Sequence, residues 1–230
     1  MTMLRTLIRF LAAWTILSTL IVLIIAVVGM GPNSRAVAMM GAGLVLLWIV
    51  LGGTLMWTMR GRVRDLVLRI RLPWPLTFVL FCTLLALTEE AVTVSMTNLA
   101  PLFGVPLGAA YITASANYLD VVALHSVVVF VPMFIAWAGL LSWRSFSPFA
   151  TAILFGITGL LAEVMSFGSQ NLLFTGSWVL VYGLMVYLPA WTAPGDAAPP
   201  RLWTYPVAIF LPLAVAIPVA LVILSIRSPG

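Results

Sequence analysis

The sequence predicts an all-α polytopic membrane bundle of about seven transmembrane helices, with a re-entrant or interfacial segment between spans three and four. Three observations predict it. The chain is 63% hydrophobic and 7% charged, with a mean hydropathy of +1.18. Apolar runs close to the about 20 residues that cross a hydrocarbon core recur along it. The basic residues, all arginine, gather in alternate connections between those runs. Together these make residues 1–230 a single integral membrane domain.

The first run, Phe10–Met30, follows Arg5 and Arg9. Ala36-Val37-Ala38 resembles a signal-peptide cleavage site, but the run exceeds an h-region of roughly 7–15 residues and reads as an uncleaved span. Span two is Ala36–Met59. The next segment, Arg60–Leu72, alternates arginine with Val, Leu and Ile; it reads as a loop in the headgroup region, with Asp65 and Arg69 paired at i, i+4. Span three is Trp74–Leu99. After it, Pro101–Gly108 packs two Pro and two Gly into an apolar stretch that no regular helix accommodates. Such backbone is tolerated at membrane depth only when it is buried in protein or lines a cavity. Spans four to seven are Val121–Trp143, Phe149–Phe167, Gly176–Trp191 and Tyr205–Ile226, with Thr192–Pro200 a solvated linker. Pro206, Pro212 and Pro218 recur in the last span, where each removes a backbone hydrogen bond and favours a kink.

Arginine placement orients the chain. With a cytoplasmic N-terminus, Arg5, Arg9, Arg60, Arg62, Arg64, Arg69, Arg71, Arg144 and Arg201 fall inside, and only Arg35 and Arg227 fall outside. The net charge of +5 is thus a membrane-surface pattern, not a nucleic-acid signal. The absence of lysine excludes a Schiff-base cofactor, and a single histidine excludes bis-histidine haem. The lone Cys82 reads as a packing residue.

Against this background five ionisable residues stand out: Glu89, Glu90, Asp120, His125 and Glu163. A charge at the bilayer centre costs roughly 2.5–3.5 kcal/mol on insertion scales, so intramembrane carboxylates point to function. Alternating span directions place all five at similar depth in the outer leaflet. Glu89, Thr93 and Thr97 share one helical row of span three, and Glu90 and Asn98 the adjacent one. Asn98, Phe103, Tyr111, Asn117 and Tyr118 are the candidate substrate-binding residues, with the Pro/Gly segment over the outer mouth of the site.

Three chemistries suit this set. Two carboxylates in a dry pocket can divide the roles of acid and base, which fits catalysis by Glu89, Glu90, His125, Glu163 and Asp120 without a cofactor. A divalent metal on Glu89, Glu90, His125 and Glu163 matches the residue types but no ligand spacing. A purely structural polar layer, or proton or cation binding in a transporter or in a subunit of a membrane complex, uses the same groups. The expected partner is a membrane lipid or apolar small molecule.

The stretch from Glu90 through Pro101–Gly108, Tyr111 and Thr113 to Val131-Pro132-Met133-Phe134-Ile135-Ala136-Trp137 resembles the polytopic carotenoid hydratases of the bacterioruberin and 1,2-hydratase type. Gly176-Ser177-Trp178 and Gly183 with Pro189-Ala190-Trp191 are similar to that family's later region. The resemblance implies hydration, or related acid–base chemistry, on an isoprenoid or carotenoid-like lipid. Glu89-Glu90 followed by His125 also resembles the CAAX-protease-like glutamic intramembrane proteases, which implies peptide cleavage.

The orientation is directly testable. Reporter fusions should place the N-terminus in the cytoplasm and the C-terminus outside. Both ends on one side would contradict an odd number of spans.

Overall fold

The computed structural model describes residues 2–227 and is helical throughout, with no strand among them. Helix α1 spans Thr2–Gly29. Helix α2, Pro32–Leu44, passes through a π-helical stretch, Val45–Gly52, into α3, Gly53–Val67, forming one continuous rod. Helix α4 covers Trp74–Asn98 and α5 Tyr118–Leu124. Helices α6 and α7 cover Val127–Trp143 and Pro148–Phe167. Helices α8 and α9 cover Thr175–Ala190 and Thr204–Arg227. Six of these segments are long and apolar enough to cross a membrane; α5 and α6, bent by 46°, make a seventh if they act as one span.

Helix starts follow local chemistry. Pro32, Pro75 and Pro148 occupy first-turn positions, where a missing N–H costs nothing. Ser147 caps α7 by accepting from the Ala150 amide at 3.2 Å. The Arg60–Leu72 segment departs from the expected loop, because α3 continues to Val67. Arginine is a good helix former, and the segment holds no proline before Pro73, its single Gly61 being carried inside the helix. Arg69 lies beyond the helix end, so the expected i, i+4 pair with Asp65 does not form; the one ion pair among the described residues joins His125 and Asp120. The linker is tied down as well: Ala198 bridges to Arg144, and its carbonyl accepts from the Ser145 amide at 2.9 Å.

Close helix crossings hold the bundle. A Cβ at Gly156 would meet the Val179 carbonyl oxygen at 2.2 Å, and one at Gly159 would enter the Tyr182 ring. Gly183 faces the Ala152 carbonyl and Gly176 the Leu11 carbonyl in the same way, joining α8 to α7 and α1. Small residues let backbones approach where lipid offers no hydrophobic drive for association. Cys82 is buried and unoxidised in the main core, beside Phe78, Phe134 and Trp137. In α9, Pro212 frees carbonyls one turn earlier, and the Thr158 hydroxyl donates to the Ile209 carbonyl at 2.9 Å.

Gly156→Ala should therefore destabilise the protein by about 1–3 kcal/mol through overpacking. Gly139→Ala, where a Cβ meets nothing within 4 Å, should be silent. Thermal unfolding in detergent distinguishes the two.

Candidate functional site

Helix α4 buries its polar row. Glu89, Glu90, Thr93 and Thr97 are each at most 6% exposed. The Thr93 hydroxyl lies 3.0 Å from Glu90 Oε2, and the Ser126 and Thr113 hydroxyls also reach that carboxylate. Glu163, on α7, lies within electrostatic range of both Glu89 and Glu90. Its partner is Tyr182 of α8, whose hydroxyl donates to Glu163 Oε1. Tyr182 is in turn within electrostatic range of Glu89 and Glu90. Three carboxylates from two helices, two buried and Glu163 half-buried, thus share one layer, with hydroxyls from α4, α8, the α5–α6 junction and the loop before α5 nearby.

That loop covers the layer. A 3₁₀ turn at Ala100–Phe103 ends at Gly104, and Gly104 and Gly108 take φ of +83° and +86°, a region that favours glycine. Val105 and Ala110 pack with Met96 and Ala100 against Ala36 and Met40 of α2, with Phe103 against the same cluster. Thr97 Oγ1 accepts from the Ile112 amide at 3.3 Å. Asn98 Nδ2 donates to the Ala116 carbonyl at 2.9 Å. The Tyr118 hydroxyl donates to the Leu87 carbonyl at 3.0 Å, beside Glu90.

The expected residues divide accordingly. Glu89, Glu90 and Glu163 come together, and Tyr118 adjoins them. Asn98 and Asn117 serve the backbone: Asn98 pins the loop, and Asn117 caps α5 by accepting from the Leu119 amide at 3.0 Å. Phe103 packs the cap, and Tyr111 is exposed at its surface. Asp120 and His125 form a separate pair at 3.6 Å, with Arg227 as the other charge near the imidazole. The helix breaks at His125, where φ is −134° and ψ −68°, so the ring does not follow the row that a continuous span would impose. Among the described residues, no group of three or more His, Cys, Asp or Glu is placed to hold one ion, the set Glu89, Glu90, His125 and Glu163 included.

Ser126 and Tyr182 are the residues that sequence reasoning missed. Tyr182 is concealed in an apolar run. Its signal is Gly159, one turn before Glu163, which opens room for the ring. Ser126 lacks a nucleophile motif; its hydroxyl donates to the Val121 carbonyl at 3.3 Å and lies close enough to Glu90 to influence its carboxylate.

Comparison with protein-family models, curated proteins and solved structures finds no match to this chain. The likeness to the two families above rests on the quoted residues alone.

Tyr182→Phe should lower stability by about 1–3 kcal/mol, because it strips the half-buried Glu163 of its hydrogen-bond donor. Tyr205→Phe, at an exposed ring, should change nothing measurable. Denaturation of both variants in one detergent checks this.

Proposed function

We propose that the protein is a membrane-embedded acid–base enzyme acting on an apolar, isoprenoid-like lipid, by hydration or related proton-transfer chemistry. The observation that carries this reading is the layer of buried Glu89 and Glu90 with half-buried Glu163 in electrostatic range, beside the irregular cap. Carboxylates held close in a water-poor site cannot all carry charge at once, so one supplies a proton while another accepts it. Glu90 has the richer set of hydroxyl donors and is the preferred proton-transfer group, with Glu89 its neighbour on α4. Glu163, anchored by Tyr182, completes the set from α7. Adding water across an alkene needs a proton delivered to one carbon and water deprotonated at the next, which two such groups provide. Exposed Leu102 and Leu107 of the cap give an apolar substrate a surface to approach from the membrane. With the arginine-rich end facing the cytoplasm, this site lies in the outer leaflet.

One observation favours a second reading. Tyr182 hydrogen-bonds Glu163, Thr93 hydrogen-bonds Glu90, and Glu163 lies within electrostatic range of Glu89 and Glu90. A set of this kind can carry protons without turning over a substrate. The Pro-containing α9, packed on α6 and α7, would then be the moving element.

Glu90→Gln separates these roles from packing. Gln keeps the shape and the hydrogen-bond capacity but cannot exchange a proton. Under the enzymatic reading it should fold normally and lose about 10²–10⁴-fold in turnover of polyprenoid lipids. Glu90→Leu should instead unfold more easily, because it removes the carboxylate that Thr93 and its neighbouring hydroxyls face and leaves an apolar side chain among them. Full turnover by Glu90→Gln and by Glu89→Gln would defeat the enzymatic reading. Proton uptake into liposomes without turnover would establish the second.

A further inference from the structure

We propose that the arginine-rich end of the bundle carries a binding site for one membrane lipid with an anionic phosphate headgroup, separate from the carboxylate layer. The site begins with an apolar slot of about 340 Å³. Helix α1 lines it with Ile8 and Ala12, the π-helical stretch and α3 with Ile49 and Gly53, and α8 with Val179 and Leu184. Its volume lies in the range of ligand-binding cavities, and its walls carry almost no polar surface. The slot runs between helices that face lipid, so an acyl chain is the natural occupant.

The headgroup end is chemically different. Trp57 and Tyr187 line the slot, and both adjoin a second cavity of about 360 Å³ lined by Thr58, Arg60, Gly61, Arg64 and Trp191. The Arg60 guanidinium lies 4.4 Å from the Trp57 ring centre and 5.6 Å from that of Trp191. Trp191 packs edge-on against Tyr187, at 6.3 Å between ring centres. The two cavities therefore meet at one aromatic wall. The Tyr187 hydroxyl and Trp191 Nε1 lie together behind that wall, both buried. Neither Arg60 nor Arg64 is paired with a carboxylate among the described residues, although Asp65 is adjacent in sequence. Two cations without a carboxylate at the end of an apolar slot are the complement of a lipid phosphate: the chain in the slot, the charge on the arginines.

Native mass spectrometry of the detergent-solubilised full chain tests this, with phosphatidylglycerol titrated against phosphatidylcholine of the same chains. One phosphatidylglycerol should be retained at least tenfold more tightly. Arg60→Gln with Arg64→Gln should weaken it about 30-fold, at about fivefold per arginine near a membrane surface. Arg69→Gln with Arg71→Gln, at the same end but outside both cavities, should leave it unchanged. Gly53→Val and Ala12→Leu, which fill the slot from opposite sides, should each weaken it while the protein melts normally. Equal affinity for the two lipids would overturn the proposal, as would equal losses from the two arginine pairs. Full binding by a folded slot-filling variant, or displacement of the lipid by inorganic phosphate alone, would overturn it too.

Discussion

A carboxylate inside hydrocarbon survives only where its neighbours take over the work of water. That constraint organises this structure. Leaving such groups unpaired costs several kcal/mol each, and here the partners come from four places in the chain. Thr93 rises from one turn along α4, Thr113 from the cap, Ser126 from the α5–α6 junction and Tyr182 from α8. Each of those positions depends on a further local device. Gly159 makes room for the Tyr182 ring, Gly104 and Gly108 turn the cap, and Thr97 and Asn98 fasten it to α4. The bundle is thus built around the layer as well as through it.

The two ends of the bundle solve opposite problems. At one end, carboxylates are sheltered beneath an irregular, largely apolar cap. At the other, arginines meet an aromatic belt, with Arg60 over Trp57 and Arg144 over Trp143. Cations over indole faces at a membrane boundary combine charge with apolar area. No arginine pairs with a glutamate among the described residues; Arg227, at the cap end, is the charge beside His125 instead.

Much of this was legible in the sequence because membrane helices announce themselves by length. The boundaries of α4 and α7–α9 and the end of α6 follow apolar runs, and the cap follows from Pro101, Gly104, Pro106 and Gly108; the expected fourth span instead breaks into α5 and α6. The meeting of Glu89, Glu90 and Glu163 followed from depth alone, since charges on neighbouring spans at one level find one another. Other features were not legible. Arg60–Val67 looked like a loop because charge suggested a boundary, yet arginine sustains a helix. Depth groups His125 with the carboxylates, but the helix breaks at that residue and its ring pairs with Asp120. Asn98 and Asn117 have the side chains of ligand-binding residues but serve the cap backbone. Tyr182 was invisible because an aromatic in an apolar span resembles packing, and only its partner across the helix interface reveals its role.

The central claim is that Glu89, Glu90 and Glu163 exchange protons as one unit. Infrared difference spectroscopy across a pH series, on the protein in lipid, tests it most directly through the carboxyl C=O stretch. In a coupled cluster, Glu163→Gln removes one component and also moves the titration of what remains on α4, and Glu89→Gln or Glu90→Gln moves that of Glu163. If each replacement deletes its own component and leaves the others where they were, the three carboxylates are independent and no shared proton-transfer site exists.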